Sequence, residues 1–357
     1  MLKYIKERLN DFDANTFINE LVLASKNLGI LEARIISYQF NSILIPLLHK
    51  KEAISSMKIE GTQTTMPEVL QKEIDPKSED DKIQIEVSNH VEALLFGSDH
   101  LRYEGFSHNF IQKIHEIMMK GILPEHLLNT LGKYKRTDNR IVNSSGTVVF
   151  VPPTHSETKK YMSELIDFMN DATDDINPLI KAAIIHSQFE SIHPFSDGNG
   201  RVGRLLVSLY LYKADVINFP FFYLSEAISV DKAVYYNMLT DSRNNSYNNW
   251  IKYFLKKIVV QTQKHLGYIE SLNDLYAKTK RIVTERINSP KFDAIVECLF
   301  THPIITADYL SDKLNVSRGQ AIRYLNTLES EQILQGDDRK RSRKFFFVEL
   351  LELAAGM

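Results

Sequence analysis

The chain has 357 residues, 43 of them Lys or Arg and 45 Asp or Glu, so its formal net charge is −2. This near-neutral balance gives no general attraction to nucleic acid or membrane surfaces, and the length predicts two or three domains. Cys298 is the single cysteine, which excludes an intramolecular disulfide and a cysteine-rich metal site.

Membrane association is not expected either. No apolar stretch of the sequence is long enough to span a bilayer. The first eight residues, Met1–Arg8, lack the apolar region of a signal peptide. We therefore expect a cytoplasmic protein without a membrane partner.

Helical periodicity dominates the sequence and predicts a mainly α fold, with strands confined to one central hairpin and the last segment. We divide the chain into four parts. They are an N-terminal helical part (1–83), a central core (84–257), a connecting helix (258–289) and a C-terminal module (290–357).

The first candidate element lies within the N-terminal part. The sequence from about Ala53 predicts a short helix that stops at Gly61. Ser56 and Glu60 are four residues apart, so they share one helix face. A carboxylate at a helix C-terminus meets the negative end of the helix dipole, so Glu60 is unfavourable there unless a cation compensates.

The second element is a hairpin within residues 132–153. Two β-prone pieces flank a turn signal, Asn143–Gly146. A simple surface hairpin would give the same pattern, so this segment alone does not identify a function.

The third element is a largely apolar helix, Pro178–Ile192, which we expect at the centre of the core. His193 stands where this helix ends. A histidine titrates near neutral pH, so its imidazole can take a proton from an attacking hydroxyl.

The twelve residues 193–204 read His-Pro-Phe-Ser-Asp-Gly-Asn-Gly-Arg-Val-Gly-Arg. The glycines flanking Asn199 let consecutive backbone N–H groups turn toward one point, which makes an anion-binding concavity. An amphipathic helix begins near Gly200, and its N-terminus also favours a bound anion. Arg201 and Arg204 share one face of that helix and can clamp two phosphates. The run therefore predicts phosphoryl or nucleotidyl transfer.

The same run matches the motif of the Fic family, His-x-Phe-x-Asp/Glu-Gly-Asn-Gly-Arg-x-x-Arg, at every defined position. The chain thus resembles a Fic-type protein adenylyltransferase with a helical core. This resemblance implies transfer of AMP from ATP to a Ser, Thr or Tyr hydroxyl of a protein. His193 would activate the hydroxyl, and Asp197 would hold Mg²⁺ against the phosphate oxygens.

The resemblance also implies the nucleotide site. The backbone from Gly198 to Arg201 would cradle the phosphates, Arg204 would hold the γ-phosphate, and Phe195 would be a buried anchor of the loop. The predicted nucleotide-binding residues are Glu60, Gly198, Asn199, Gly200, Arg201, Val202, Gly203, Arg204 and Tyr236.

Two further segments resemble family elements. Ser56–Gly61 is similar to the Fic inhibitory motif, Ser/Thr-x-x-x-Glu-Gly/Asn, which makes Ser56, Glu60 and Gly61 the inhibitory residues and Arg204 the partner of Glu60. The hairpin of 132–153 resembles the flap along which a target protein segment pairs by strand addition. Tyr236 resembles a residue that contacts the adenine.

The C-terminal module predicts a winged helix. Thr306 and Ser317 are the expected N-caps of two short helices, and Ile333–Leu334 and Phe345–Val348 are the expected strands. Residues 290–357 carry nine Lys and Arg against ten Asp and Glu, so DNA binding at physiological salt should be modest. Protein docking and dimer packing are equally open uses of such a module.

Two alternatives to simple AMP transfer remain. In one, Glu60 positions a water, and the same site also removes AMP from modified protein. In the other, the chain is a DNA-binding regulator whose Fic core senses a nucleotide. The sequence leaves open the target, the acceptor residue, self-modification, a homodimer, the trigger that releases Glu60 and the use of another phosphate donor.

Overall fold

The structure is a computed structural model that describes residues 2–9, 12–37, 41–74, 82–142, 145–244, 247–287, 289–339 and 342–356. The prediction of a mainly α fold is confirmed. The helices are α1 (Ile5–Arg8), α2 (Ile18–Ile36), α3 (Asn41–Glu60), α4 (Met66–Ile74), α5 (Lys82–Tyr103), α6 (His108–Met119), α7 (His155–Asn170), α8 (Pro178–Ile192), α9 (Asn199–Lys213), α10 (Ser225–Ser229), α11 (Lys232–Asn244), α12 (Asn248–Arg286), α13 (Phe292–Thr301), α14 (Ala307–Leu314), α15 (Arg318–Ser330) and α16 (Val348–Gly356).

The strands are short and antiparallel. They are β1 (Ile141–Val142), β2 (Val148–Phe150), β3 (Ile304–Thr306), β4 (Gln335–Gly336) and β5 (Lys344–Phe346). β1 pairs with β2, and a second sheet has the order β3-β5-β4. None of the described helices is both long enough and apolar enough to cross a bilayer.

The chain divides into two compact units, each built from separate stretches. Unit 1 comprises Met1–Ser37, Glu52–Gln63 and Ile85–Gln263, and unit 2 comprises Tyr38–Lys51, Thr64–Gln84 and Lys264–Met357. Helix α12 runs without a break past residue 257, where the sequence suggested a boundary. The division into four parts stays a prediction.

The core of unit 1 is built around α8. Every residue from Leu179 to Ile192 is buried, as expected for a helix that is packed on all sides. Helix α9 packs along it. Trp250 on α12 is fully buried and donates from its indole nitrogen to the Ala183 carbonyl at 2.7 Å. These contacts fix the two helices that flank the candidate site.

Unit 2 contains the C-terminal module. Its elements follow in the order α13, β3, α14, α15, β4, β5 and α16, and the winged helix stays a prediction. Thr306 and Ser317 cap α14 and α15 by accepting from the backbone N–H groups of Tyr309 and Gln320.

Two local predictions are wrong. Ile333–Leu334 is a turn rather than a strand, because both N–H groups donate to the Leu328 carbonyl, and only Gln335–Gly336 pairs with β5. The segment around Ser56 is the end of a longer helix, α3, which includes Pro46. That proline removes one N–H donor near the start of the helix without ending it.

Candidate active site

The turn between α8 and α9 carries the sequence motif. Asn177 caps α8 by accepting from the Leu179 N–H at 2.9 Å, and the helix ends at His193, whose φ is 50° and ψ is 60°. Gly198, with φ at 78°, precedes the first residue of α9. The predicted helix end and the predicted helix start are therefore both present. The N-terminus of α9, where the first N–H groups of a helix lack partners within it, thus follows His193 by six residues.

Phe195 and Asn199 lock this turn from inside. Phe195 is fully buried, and its ring stacks on His115 at 3.9 Å between centroids. The Asn199 side chain accepts from the Phe195 N–H and donates to the Phe195 carbonyl, both at 2.8 Å. Asn199 was predicted to bind nucleotide, and the structure engages its side chain in the turn itself.

His193 is held in its neutral form. Burial lowers the pKa of its imidazole to about 4, and the positive charges of Lys135 and Arg243 act in the same direction. The Glu190 carbonyl and the Glu60 charge oppose this shift. Its Nδ1 atom is buried and has no hydrogen-bond partner of ordinary geometry among the described residues. A neutral imidazole at pH 7 is the form that accepts a proton.

Asp197 and Arg201 lie together at the start of α9. Asp197 Oδ1 accepts from the Gly198 N–H at 2.6 Å and lies 3.5 Å from Arg201 Nη2. Arg201 Nη1 donates to Glu86 on α5 at 2.5 Å. Two carboxylates therefore already orient Arg201. Asp197 keeps a partly exposed side chain.

Arg204 is buried beneath the end of α3. Its Nη2 donates to Glu60 Oε1 at 2.7 Å, and Ser56, which is also buried, accepts from the same guanidinium. Burial opposes ionisation of Glu60, but the charge and hydrogen bond of Arg204 outweigh it, so the pKa of Glu60 is lowered. Gly61 ends the helix with φ at 103°, a value that favours glycine. The structure thus brings the predicted partners together.

Glu60 also lies against the predicted phosphate cradle. A Cβ atom added at Gly200 would come within 2.5 Å of Glu60 Oε1 and 2.9 Å of Arg204 Nη1. The absence of a side chain at Gly200 is therefore what lets the carboxylate approach the start of α9. In this arrangement Glu60 stands where an anionic ligand of Arg204 would bind.

Tyr235 and Tyr236 differ in their surroundings. Tyr235 is fully buried and pairs with His186 at 2.8 Å between Oη and Nε2. Tyr236 is 44% exposed, and burial of its hydroxyl together with the Glu60 charge raises its pKa to about 12. Of the two, Tyr236 is the accessible ring near Glu60 and Arg204.

The predicted hairpin is present as β1 and β2. Ile141 pairs with Phe150 and Val142 with Val148, with an irregularity between the two pairs. Asn143 and Ser144 of the predicted turn lie outside the described residues. The strands expose apolar side chains, namely those of Val142, Val148 and Val149.

Comparison with known proteins decides the family. The model of the Fic/DOC family matches residues 105–211, and the model of the Fic/DOC family N-terminal region matches residues 18–99. Together they span just over half of the chain and include both Ser56–Gly61 and the motif of 193–204. The chain belongs to the Fic/DOC family.

Relatives of this Fic protein carry consistent names. A probable protein adenylyltransferase of Aquifex aeolicus is 25% identical over 267 residues, which cover 74% of this chain and 77% of that protein. The protein adenylyltransferase fic-1 of Caenorhabditis elegans is 29% identical over 126 residues, 35% of this chain but only 24% of the nematode protein. Protein adenylylation is a nucleotidyltransferase activity.

A solved structure supports the Fic fold as well. A Fic family protein from Desulfovibrio desulfuricans superimposes with a TM-score of 0.56 at 20% identity and covers 91% of this chain and 95% of its own. At this level of identity the likeness concerns the fold alone.

Several residues of this Fic site escaped the sequence analysis. Glu52 and Glu190 are buried carboxyls near Arg204, and Glu86 binds Arg201. Lys135 and Asn139 lie within the hairpin segment but carried no assigned role. Buried polar residues in otherwise ordinary helices and loops give no periodic signal, so only the folded chain shows their partners.

Proposed function

We propose that this chain is a protein adenylyltransferase that transfers AMP from ATP to a hydroxyl of a protein and that is inhibited by its own Glu60. The observation that carries the proposal is the convergence of three parts within unit 1. These parts are the neutral imidazole of His193, the N-terminus of α9 and the buried guanidinium of Arg204. The Glu60 carboxylate accepts a hydrogen bond from Arg204 and lies beside Gly200 at the start of α9.

The reaction follows from these positions. The target hydroxyl attacks the α-phosphorus of ATP and gives its proton to His193, for which we assign Nε2 because Nδ1 is buried. The new oxygen–phosphorus bond forms as the bridging bond to the β-phosphate breaks, and pyrophosphate leaves. Backbone N–H groups of Gly198–Arg201 and the Arg204 side chain hold the phosphates, so the protein contributes mainly position and charge.

The residues present fit a bound Mg²⁺ ion. The Asp197 carboxylate is partly exposed beside the predicted phosphate cradle, and Mg²⁺ usually takes one or two carboxylates together with phosphate oxygens. The ion would neutralise charge on the phosphates.

The target protein would bind along the hairpin of 132–153. The two-stranded β1–β2 sheet offers backbone groups at its edges, and a segment added there requires little sequence complementarity. The exposed valines of the hairpin supply apolar contact area beside these groups.

Inhibition follows from the position of Glu60. The Glu60 carboxylate accepts a hydrogen bond from the Arg204 guanidinium and lies close to Gly200. A triphosphate therefore cannot bind both Arg204 and the backbone at Gly200 while α3 keeps this position. A hydrogen bond to a charged group contributes about 1.5–3 kcal/mol, so this contact alone would reduce the open fraction by roughly tenfold to a hundredfold.

The position of the label distinguishes AMP transfer from phosphorylation. The Glu60→Gly variant, incubated with Mg²⁺ and either α-labelled or γ-labelled ATP, should place only the α label on itself or on added proteins. The Glu60→Gly/His193→Ala variant should place neither. Incorporation of the γ label, or of no label in any form, would overturn the proposal.

Removal of AMP by the same site is a second hypothesis with a specific basis. Glu60 is ionised and lies beside the predicted phosphate cradle, where a carboxylate can accept a proton from water. A chase of AMP-labelled protein with the wild-type chain and Mg²⁺, without ATP, tests it. Release of AMP that disappears in Glu60→Gly supports this activity, and persistence of the label refutes it.

A further inference from the structure

Four consecutive carbonyl groups at the His193 turn are held by two residues from the base of the hairpin. The Lys135 N–H donates to the Pro194 carbonyl at 2.8 Å, and Lys135 Nζ donates to the Ile192 carbonyl at 3.2 Å. Asn139 Nδ2 donates to the carbonyls of His193 and Phe195, both at 3.1 Å. Asn139 Oδ1 in turn accepts from Lys135 Nζ at 2.8 Å.

The turn requires such support for two reasons. The last carbonyls of a helix lack partners within it, and Lys135 Nζ supplies one to the carbonyl of Ile192, the last residue of α8. His193 also adopts the left-handed region, which costs a non-glycine residue on the order of 1 kcal/mol or more. Hydrogen bonds on both sides of His193 therefore hold its strained backbone, and with it the direction of the Cα–Cβ bond that carries the imidazole.

We propose that Lys135 and Asn139 are positioning residues that set the hairpin in register with the His193 imidazole. Asn139 lies two residues before β1, so the strand that would receive the target and the turn that carries the base are joined directly. A target hydroxyl docked on the hairpin is thereby placed at a fixed distance from the base. This inference rests on the proposed transferase function.

Lys135 has an electrostatic role as well. Its ammonium group is buried, and burial lowers its pKa to about 8, while the charges of Asp138 and Glu157 oppose that shift. Next to burial, Lys135 has the largest effect on the pKa of His193. The other groups that face the imidazole are Arg243 from α11, Glu60 from α3 and the Glu190 carbonyl of α8 itself.

The first test removes the Asn139 donors in the active Glu60→Gly background. Asn139→Ala should lower kcat for AMP transfer by roughly tenfold to a hundredfold, because small displacements of reacting groups have effects of this size. The affinity for ATP and Mg²⁺, measured by calorimetry, should stay within about twofold. The matched control is Asn129→Ala, an exposed asparagine ahead of the hairpin, which should leave kcat unchanged.

An unchanged kcat in Asn139→Ala, or a parallel loss of nucleotide affinity, would overturn the positioning role. If Asn139→Ala does not fold, Asn139→Asp replaces it, since this variant keeps the size of the side chain and loses both amide donors. Because the comparison is made within a variant that already transfers label, a loss here is distinct from failure of the proposed function.

The second test needs no activity. NMR titration of isotope-labelled histidine, with the His193 signal assigned by His193→Ala, should show a higher pKa for His193 in Lys135→Met than in the wild type. Lys135→Arg should restore the low value, and Lys133→Met, at an exposed lysine two residues earlier, should have no effect. An unshifted His193 pKa in Lys135→Met would contradict the electrostatic role.

Discussion

Within the described part of the chain, Ser56 accepts three hydrogen bonds from Arg204, whereas Glu60 accepts one. The Ser56 hydroxyl receives Arg204 Nε at 3.0 Å and Nη2 at 2.9 Å, and the Ser56 carbonyl receives Nη2 at 3.2 Å. The contact that holds the end of α3 against α9 is therefore shared between the two residues. Glu60 supplies the negative charge, and Ser56 supplies most of the hydrogen bonds.

Ser56→Ala should release the inhibition in part. Loss of the hydroxyl leaves the buried Arg204 Nε–H without its acceptor, while Nη2 keeps Glu60 and the Ser56 carbonyl. An unpaired buried donor costs about 1–3 kcal/mol, which favours withdrawal of α3. We expect AMP incorporation between that of the wild type and that of Glu60→Gly. Labelling with α-labelled ATP measures this, and the adjacent buried serine provides the control, Ser55→Ala. Incorporation at the wild-type level in Ser56→Ala would show that Glu60 acts alone.

The buried carboxyl of Glu52 should make the stability of the protein depend on pH. This carboxyl lies one helical turn before Ser56 and accepts hydrogen bonds from the Ser225 hydroxyl and N–H. Burial raises its pKa from 4.5 to about 8, although Ser225 and Arg204 oppose the shift. The folded state therefore binds a proton that the unfolded chain has lost, and this contribution to stability disappears as the pH rises from about 4.5 through about 8.

Glu52→Gln should weaken this dependence, because the amide keeps the shape of the protonated acid and does not titrate. The free energy of unfolding, measured in urea at pH 5.5 and pH 8.5, should fall less in the variant than in the wild type. Some dependence should remain, since burial also raises the pKa of Glu190 to about 7. An equal fall in the free energy of unfolding in the two proteins would show that Glu52 does not titrate in this range.

Gly203 and Gly267 provide a matched pair of substitutions in helices. A Cβ atom at Gly203 would come within 2.5 Å of Glu190 Oε1 and 3.0 Å of Phe189 Cδ1, whereas nothing described lies within 4 Å of one at Gly267. Gly203→Ala should therefore destabilise the protein by about 1–3 kcal/mol. Gly267→Ala should stabilise it by about 0.5–1 kcal/mol through helix propensity. Urea unfolding measures both, and a stable Gly203→Ala would contradict the close packing of α8 on α9.

The C-terminal module should bind duplex DNA only weakly. Three of its arginines already pair with carboxylates, Arg318 with Asp308, Arg339 with Asp337 and Arg343 with Glu329. At physiological salt we expect a dissociation constant of about 10⁻⁴–10⁻⁶ M, which is the range of non-specific binding. Fluorescence anisotropy of a labelled duplex measures it. Arg323 lies on α15, the second helix of the predicted helix-turn-helix. Tight and sequence-selective binding that is lost in Arg323→Ala would instead support the regulator hypothesis.

The sequence predicted the parts of the site that lie close together along the chain. His193, Gly198 and Arg204 belong to one run that joins α8 to the first turns of α9, so their spacing alone indicated a base, a cradle and a cation. Glu60 was predicted through a second short motif, since 144 residues separate it from Arg204.

Other parts of the site depend on contacts that leave no trace in local sequence. Lys135 and Asn139 act on backbone carbonyls more than fifty residues away, and any residue type could supply those carbonyls. The misassigned strand at Ile333–Leu334 has a similar origin. Its apolar side chains favour a strand, but the end of α15 takes up its N–H groups.

In the proposed function, Glu60 restrains a site in which His193 is the base. The most direct measurement is the initial rate of AMP transfer from α-labelled ATP with Mg²⁺, compared among the wild type, Glu60→Gly and Glu60→Gly/His193→Ala. We predict that Glu60→Gly exceeds the wild type by roughly tenfold to a hundredfold and that the double variant shows no transfer. Equal rates for the wild type and Glu60→Gly, or undiminished transfer in the double variant, would contradict the account.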